Sequence, residues 1–416
     1  MSAVAPPVAG GPDGRGRRVL APLFAVVSID AMGNGAILPL LPFYAERMGA
    51  TPLMLGCLIA AYWLCQLLAA PVLGALSDRV GRKRVLVGSQ LGTLAGFAIL
   101  ATAPSLAFVF LGRIVDGLTS GNLAVASAYA IDRSGGDRRR AVGVVGAGLG
   151  LGTMVGPALA GMLSQVSLSA PFWAAAALSA CSIAASARLL PSDRRAAAAN
   201  GAVRAASILP GRGILAAAMA PGARSALAML VLYYLSFGMF LSQFALFAAA
   251  RLEWSGAAFG PREVGIAFAA AGAINVFVQL VAMKPLGRLV RDRALACACF
   301  AAVAAGYLGL AAGPAPLTWA PAILLVSIGA ALARPALLAA FSQAMPEGRQ
   351  GAAMGLNQSV MALANIAAAL LAGLLIGWGW YLAWSGALAA LAILGALVAL
   401  WRPWPPVSPT RPQADT

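Results

Sequence analysis

Asp30 lies eleven residues into an apolar run over 19–43, roughly 16 Å along a helix, and Arg113 and Asp116 stand three residues apart inside another run, 106–131. Desolvation of a carboxylate favours the neutral acid, and a group that takes up and releases a proton as its surroundings change is a proton carrier. Arg113 and Asp116 are about one helical turn apart, close enough to pair on one face. A third set of charges is Gly74-Ala75-Leu76-Ser77-Asp78-Arg79-Val80-Gly81-Arg82-Lys83-Arg84, with Asp132 a further acid just past the 106–131 run. The 416 residues include no histidine, which excludes imidazole bases, His-ligated metals and the hydrolytic chemistries built on them. Cys57, Cys65, Cys181, Cys297 and Cys299 all lie in apolar runs and read as small hydrophobes rather than a disulfide framework or metal cage. No nucleophile and base stand together, so neither an enzyme, a metal site nor a cofactor is expected.

The elements that must position these groups are the apolar runs. Hydrophobic residues make up 61% of the chain and charged ones 10%, with a mean hydropathy of +0.85, too little polar surface to cover a particle in water. Twelve runs approach the ~20 residues that cross a bilayer as a helix. They fall near 19–43, 53–76, 84–103, 106–131, 141–164, 170–190, 225–250, 262–285, 294–313, 316–340, 350–377 and 380–401, with runs nine and ten the least distinct. Their length and Ala/Leu/Gly content argue against barrel strands. The expected class is an all-α membrane protein. Asp30, the length of the first run and the eleven that follow argue for a retained first helix over a cleaved signal peptide.

The formal charge of +16 is explained by placement. All but five of the 29 Lys and Arg fall in tails and alternate loops on one side, which places both termini in the cytoplasm. Arg47, Arg251 and Arg262 fall in the opposite loops, and Arg113 and Arg334 fall within spans. Basic residues distributed this way record topology, and no basic domain exists to bind nucleic acid; contact with anionic lipid headgroups follows instead. The chain divides into a tail (1–18), six spans (19–190), a polar central loop (191–224), six more spans (225–401) and a Pro-rich tail (402–416). The basic loop after span two has an echo at 286–293 after span eight, as expected of two related halves with a site between them near mid-membrane.

These motifs resemble the major facilitator superfamily and, within it, the twelve-span drug:proton antiporters that include the tetracycline efflux pumps. The resemblance implies two pseudo-symmetric six-helix bundles. The 74–84 segment matches the superfamily's loop signature nearly residue for residue. It implies a conformational latch of Gly74, Asp78, Arg79, Gly81, Arg82 and Asp132, with Gly74 allowing close helix approach, Arg82 paired to Asp132, and Asp78 facing the start of span eleven near Gln350 and Gly351. Arg113 resembles the family's span-four arginine, implicated in proton coupling; such an arginine costs about 2.5–3.5 kcal/mol to insert and must face the interior or water. The stretch around Asp30, with Asn34 and Leu38-Pro39-Leu40-Leu41-Pro42, is similar to span one of tetracycline pumps. Asp30, Arg113 and Asp116 are thus the expected coupling set. Span five carries Gly146, Gly148, Gly150, Gly152, Gly156, Pro157 and Gly161, similar to the antiporter signature, with Ala160 where a second glycine is usual. It favours export over import.

Candidate cavity residues are Asn34, Gln66, Gln90, Tyr233, Tyr234, Gln243, Asn275, Gln279, Arg334, Asn357 and Asn365. Tetracycline pumps carry an acid in the middle of span three; this chain has none there, nor in span nine, which points away from tetracycline toward a neutral or hydrophobic solute. The expected function is proton-coupled efflux of a small hydrophobic compound by a monomer in the inner (plasma) membrane. A sugar or metabolite symporter would need more converging polar groups. A transport-dead sensor is the other alternative, though no signalling domain is appended and the coupling charges are present.

Overall fold

The structure, a computed structural model, describes residues 12–133, 138–191, 217–282, 285, 292–346 and 350–401. Most of the central loop, most of the two tails and most of the 286–293 echo lie outside these residues. Among the described residues, twelve helical spans are long and apolar enough to cross a membrane. The first six are α1 (Pro12–Ile37), α3 (Pro52–Val80), α4 (Arg82–Ala101), the pair α5 (Leu106–Thr119) and α6 (Asn122–Arg133), α7 (Arg138–Leu163) and α8 (Ala170–Leu189). The second six are α9 (Pro221–Arg251), α10 (Pro261–Phe277) continued by a π-turn (Val278–Ala282), α11 (Asp292–Ala311), α12 (Pro316–Ala344), α13 (Gln350–Gly377) and α14 (Tyr381–Trp401). An even number of crossings returns both chain ends to one side, here called the termini side. Spans nine and ten, the least distinct in sequence, are cleanly separated between Ala311 and Pro316.

Three departures from the expected spans have local causes. Span one stops at Ile37, because Pro39 has no N–H to continue the ladder, and the chain restarts as a short helix α2 (Leu41–Arg47). Span four is not one helix. At Thr119-Ser120-Gly121 the Thr119 hydroxyl bonds back to the Val115 carbonyl at 2.8 Å, and Ser120 and Gly121 leave the helix. Between spans seven and eight, Glu253–Trp254 and Ala257–Ala258 form a small antiparallel hairpin turned by Ser255 and Gly256, both with positive φ.

The two bundles are built differently inside. In the second, Tyr233, Phe237, Phe240, Phe244 and Phe247 recur along one face of α9 and pack on Tyr307 and Trp384, with the Phe247 and Trp384 ring centroids 4.7 Å apart. Such aromatic contact fills a helix interface without polar groups. The second bundle's buried polar side chains, among the described residues, are all uncharged, whereas the first buries Arg113 and Asp116 together with Ser89, Gln90, Thr93, Ser179, Ser182 and Ser186. Buried polar groups need partners, and those partners define the candidate site.

Candidate functional site

Asp30 is half-buried on span one, and Gln90 reaches it from span three: Nε2 donates to Asp30 Oδ2 at 3.0 Å. The same nitrogen donates to Ser182 Oγ of span six at 2.8 Å, Ser182 donates to the Val26 carbonyl at 3.3 Å, and Ser179 donates to the Gln90 carbonyl at 3.2 Å. One amide therefore ties three spans together around the acid. Asn34 donates to the Asp30 backbone carbonyl one turn away, at 3.2 Å. Gln90 Oε1 is buried and without a partner.

Arg113 and Asp116 form the second cluster. Arg113 NH1 lies 3.0 Å from Asp116 Oδ2, with side chains 3% and 1% exposed, and the guanidinium stacks over the Tyr62 ring at 4.0 Å. Glycines make room on both flanks. A Cβ at Gly96 would lie 2.9 Å from the Asp116 side chain, and one at Gly117 would lie 2.7 Å from the Tyr62 carbonyl. Next to this pair the break in span four is held by span two: Tyr62 and Ser120 hydroxyls lie 2.8 Å apart, and Gln66 Nε2 donates to Ser120 Oγ at 2.9 Å. Gln66 Nε2 also lies 3.4 Å from the Ser120 carbonyl, a partner of the kind that backbone groups released within a membrane need.

The loop after span two has the expected charges in contact. Arg82 meets Asp78 at 2.6 Å and Asp132 at 3.2 Å, and donates to Ser77 Oγ at 2.6 Å. Arg79 is exposed beside them. The Gln350 side chain, expected with Gly351 opposite Asp78, lies outside the described residues. Gly81 (φ +109) makes the corner between α3 and α4, a conformation side chains disfavour. Gly74 departs from expectation: a Cβ there meets nothing within 4 Å, so the close helix approach read for it is not made in this conformation.

Two bundles of six spans, a membrane-embedded acid network and this loop signature leave one comparison to decide the family. A family model described as the Major Facilitator Superfamily matches residues 23–360 and 232–416. The chain belongs to the Major Facilitator Superfamily. It is 30% identical over 358 residues to the class C tetracycline resistance protein of Escherichia coli, covering 84% of this chain and 87% of that protein. It is 31% identical over 367 residues to the class G protein of Vibrio anguillarum, covering 85% and 91%. The quinolone resistance protein NorA of Staphylococcus aureus is 25% identical, covering 85% and 88%. Among solved structures, a mutant of the nucleoside transporter NupG superposes with a TM-score of 0.76 at 14% identity, over 91% of this chain and 99% of that one. A mutant of the peptide transporter POT, in complex with sulfate, gives 0.75 at 16%, over 94% and 98%. The protein is a multi-pass membrane transporter of the drug-efflux type and not an enzyme.

In a superfamily member the contact between bundles matters as much as the bundles, and here span five supplies two glycine faces. Gly148, Gly152 and Gly156 face span one, where Gly152 lies against Ala31 and Gly156 against Met32 and Gly35, beside Asp30. Gly161 faces span eight at Gly265, where a Cβ would come within 2.9 Å of the partner backbone. Proceeding toward the termini side, a Cβ on Gly272 would be 2.6 Å from Met154, one on Gly150 would be 3.8 Å from Val276, and ones on Gly146 and Gly143 would meet nothing. Spans two and eleven behave alike. Gly56 abuts the Ala369 carbonyl and a Cβ on Gly373 would be 2.7 Å from the Pro52 carbonyl, whereas Gly74 and Gly355 have open space. The bundles close on the side away from the termini and diverge toward the termini.

The remaining candidates separate by role. Gln243 is fully buried and donates to the Pro52 carbonyl at 3.0 Å, so it bridges the bundles at the closed end and lines no cavity. Tyr233 donates to the Ala330 carbonyl at 3.3 Å and Tyr234 to Asn357 Oδ1 at 3.0 Å; all three side chains are buried helix-to-helix links. Asn365 bonds to its own helix at the Met361 carbonyl and packs against Gly238. Asn275 and Gln279 bond each other across the π-turn of span eight. Arg334 alone of the second-half candidates is both charged and exposed. Residues missed in the sequence are Tyr62, Ser120, Ser179 and Ser182. The signal existed: Ser179, Ser182 and Ser186 recur at helical spacing in an otherwise apolar span, which marks one polar face.

Proposed function

We propose that the chain is a monomeric proton-coupled exporter of small hydrophobic compounds in the inner (plasma) membrane, with both termini in the cytoplasm. The moving units are 19–190 and 225–401, joined by the loop 191–224, with the segments 1–18 and 402–416 as cytoplasmic tails. The observation that carries this reading is the Asp30–Gln90–Ser182 network, an acid at mid-span tied to two other spans. The tetracycline and quinolone resistance proteins among its relatives support a drug-like substrate.

With the termini in the cytoplasm, the divergence of the bundles is an inward-open state. Ionised Asp30 accepts the Gln90 hydrogen bond; once protonated it no longer needs that donor, and span one is free to shift against spans three and six. Span five carries the shift, because its Gly152 and Gly156 face packs beside Asp30 while its Gly161 face holds the closed end. Arg113 and Asp116, a charge pair beside the break in span four, complete the coupling set with Asp30, and the Asp78–Arg82–Asp132 cluster, already formed within the first bundle, holds Asp78 ready to latch against span eleven when the termini side closes in the outward-open state. A compound-sensitivity panel on cells with and without the gene tests this reading. Added resistance that disappears with Asp30→Asn at equal protein level is expected; an unchanged resistance profile, with or without the substitution, would refute it.

A further inference from the structure

We propose that Arg334 recognises an anionic group on the transported molecule, so that the exported compounds are amphipathic organic anions with an apolar or aromatic body and a carboxylate or sulfonate. This rests on the export reading above and adds an anionic group to its hydrophobic solute.

Arg334 lies within span ten, where an arginine must face protein or water rather than lipid. Its helical direction is fixed by its neighbours. Ser327 and Phe341, seven residues before and after and so almost in line on the helix, are both buried against the bundle. Leu325, nine residues before and thus on the opposite face, is exposed as a lipid-facing leucine is. Arg334 is therefore an exposed residue on an inward face, which means that it opens into the space between the diverging bundles. Its guanidinium lies 3.9 Å from the Met361 sulfur of span eleven.

Among the described residues it has no counter-charge. The three ion pairs there join Arg82 to Asp78, Arg82 to Asp132 and Arg113 to Asp116, and none includes Arg334. Arg113 differs: it has a carboxylate at 3.0 Å and an aromatic ring over its plane, so its charge is balanced within the bundle. Arg334 has the Met361 thioether beside it and, among the described residues, no carboxylate. A guanidinium fork fits a carboxylate or sulfonate through two parallel hydrogen bonds, and the half-buried Met361 beside it suits the attached apolar body.

Thermal unfolding of the purified full-length protein in detergent tests this with naphthalene-2-sulfonate, naphthalene-2-carboxylate, the neutral naphthalene-2-carboxamide and the cationic 2-naphthylmethylammonium. Saturable stabilisation by the two anions alone is expected. Arg334→Gln should weaken it at least tenfold, with Arg334→Lys intermediate because it keeps charge without the fork. Met361→Glu, which places a carboxylate beside the guanidinium, should also abolish it and serves if Arg334→Gln does not fold. Stabilisation by the amide or the cation equal to that by the anions, no stabilisation by either anion, or unchanged anion binding in Arg334→Gln and Met361→Glu would each overturn the proposal. Equilibrium binding requires no proton gradient, so failure here leaves proton-driven export untouched, and failure of coupling leaves anion binding intact.

Discussion

Gln90 Nε2 stands 3.0 Å from Asp30 Oδ2, while Oε1 of the same amide is buried with nothing bonded to it. An ionised carboxylate only accepts hydrogen bonds, and a protonated one also donates. The Gln90 amide as placed gives its donor to the ionised state; protonated Asp30 can bond the vacant Oε1 only if the amide turns over, which takes the donor away from Ser182. Spans one and three are thereby joined through a contact that responds to a proton.

Gln90→Leu leaves both Asp30 and Ser182 without that donor. The expected loss is about 1–3 kcal/mol, read as a lower melting temperature in detergent, together with loss of proton-driven export. Gln90→Leu protein with unchanged melting and unchanged export would show the network to be incidental.

Breaking the Arg113–Asp116 pair from one side strands a charge in the bundle. Arg113→Gln and Asp116→Asn should each destabilise by about 3–5 kcal/mol, and the double variant by less than either. A double-mutant cycle on thermal stability checks this. If the double variant also recovers export, the pair is structural; continued loss of export at restored stability assigns it to coupling.

Opposite ends of the bundle interface should respond in opposite directions. Gly161→Leu and Gly56→Val place bulk where backbones touch, and should force the closed end apart. Gly74→Leu meets open space here and should be tolerated in this state while obstructing closure of the termini side. Distances between spin labels across spans five and eight report the shift: longer at the Gly161 end for the first two variants, unchanged there for the third. The same distance distribution in all three would contradict the inward-open assignment.

The twelve spans were legible because a bilayer demands a long apolar helix for each crossing. Asp30, Arg113 and Asp116 were legible as charges in apolar surroundings. What the sequence could not reveal was which helix faces meet. Gln243 read as a cavity residue because its partner is a backbone carbonyl of the other bundle, at Pro52, which no side-chain pattern reports. Gly74 read as a packing glycine because its neighbour depends on which side of the transporter is open. The break at Ser120 stayed hidden inside a run whose hydropathy is continuous, although Thr-Ser-Gly is a weak helical sequence.

The central claim, that Asp30 couples a proton to export, is tested most directly by loading everted membrane vesicles under an imposed pH gradient, acid inside, with a compound to which the gene confers resistance. Wild-type vesicles should accumulate the compound and release it when the gradient is collapsed. Asp30→Asn vesicles, at matched protein content and with the protein still folded in detergent, should show no gradient-driven accumulation while retaining binding of the compound. Accumulation by Asp30→Asn vesicles equal to wild type would contradict the account.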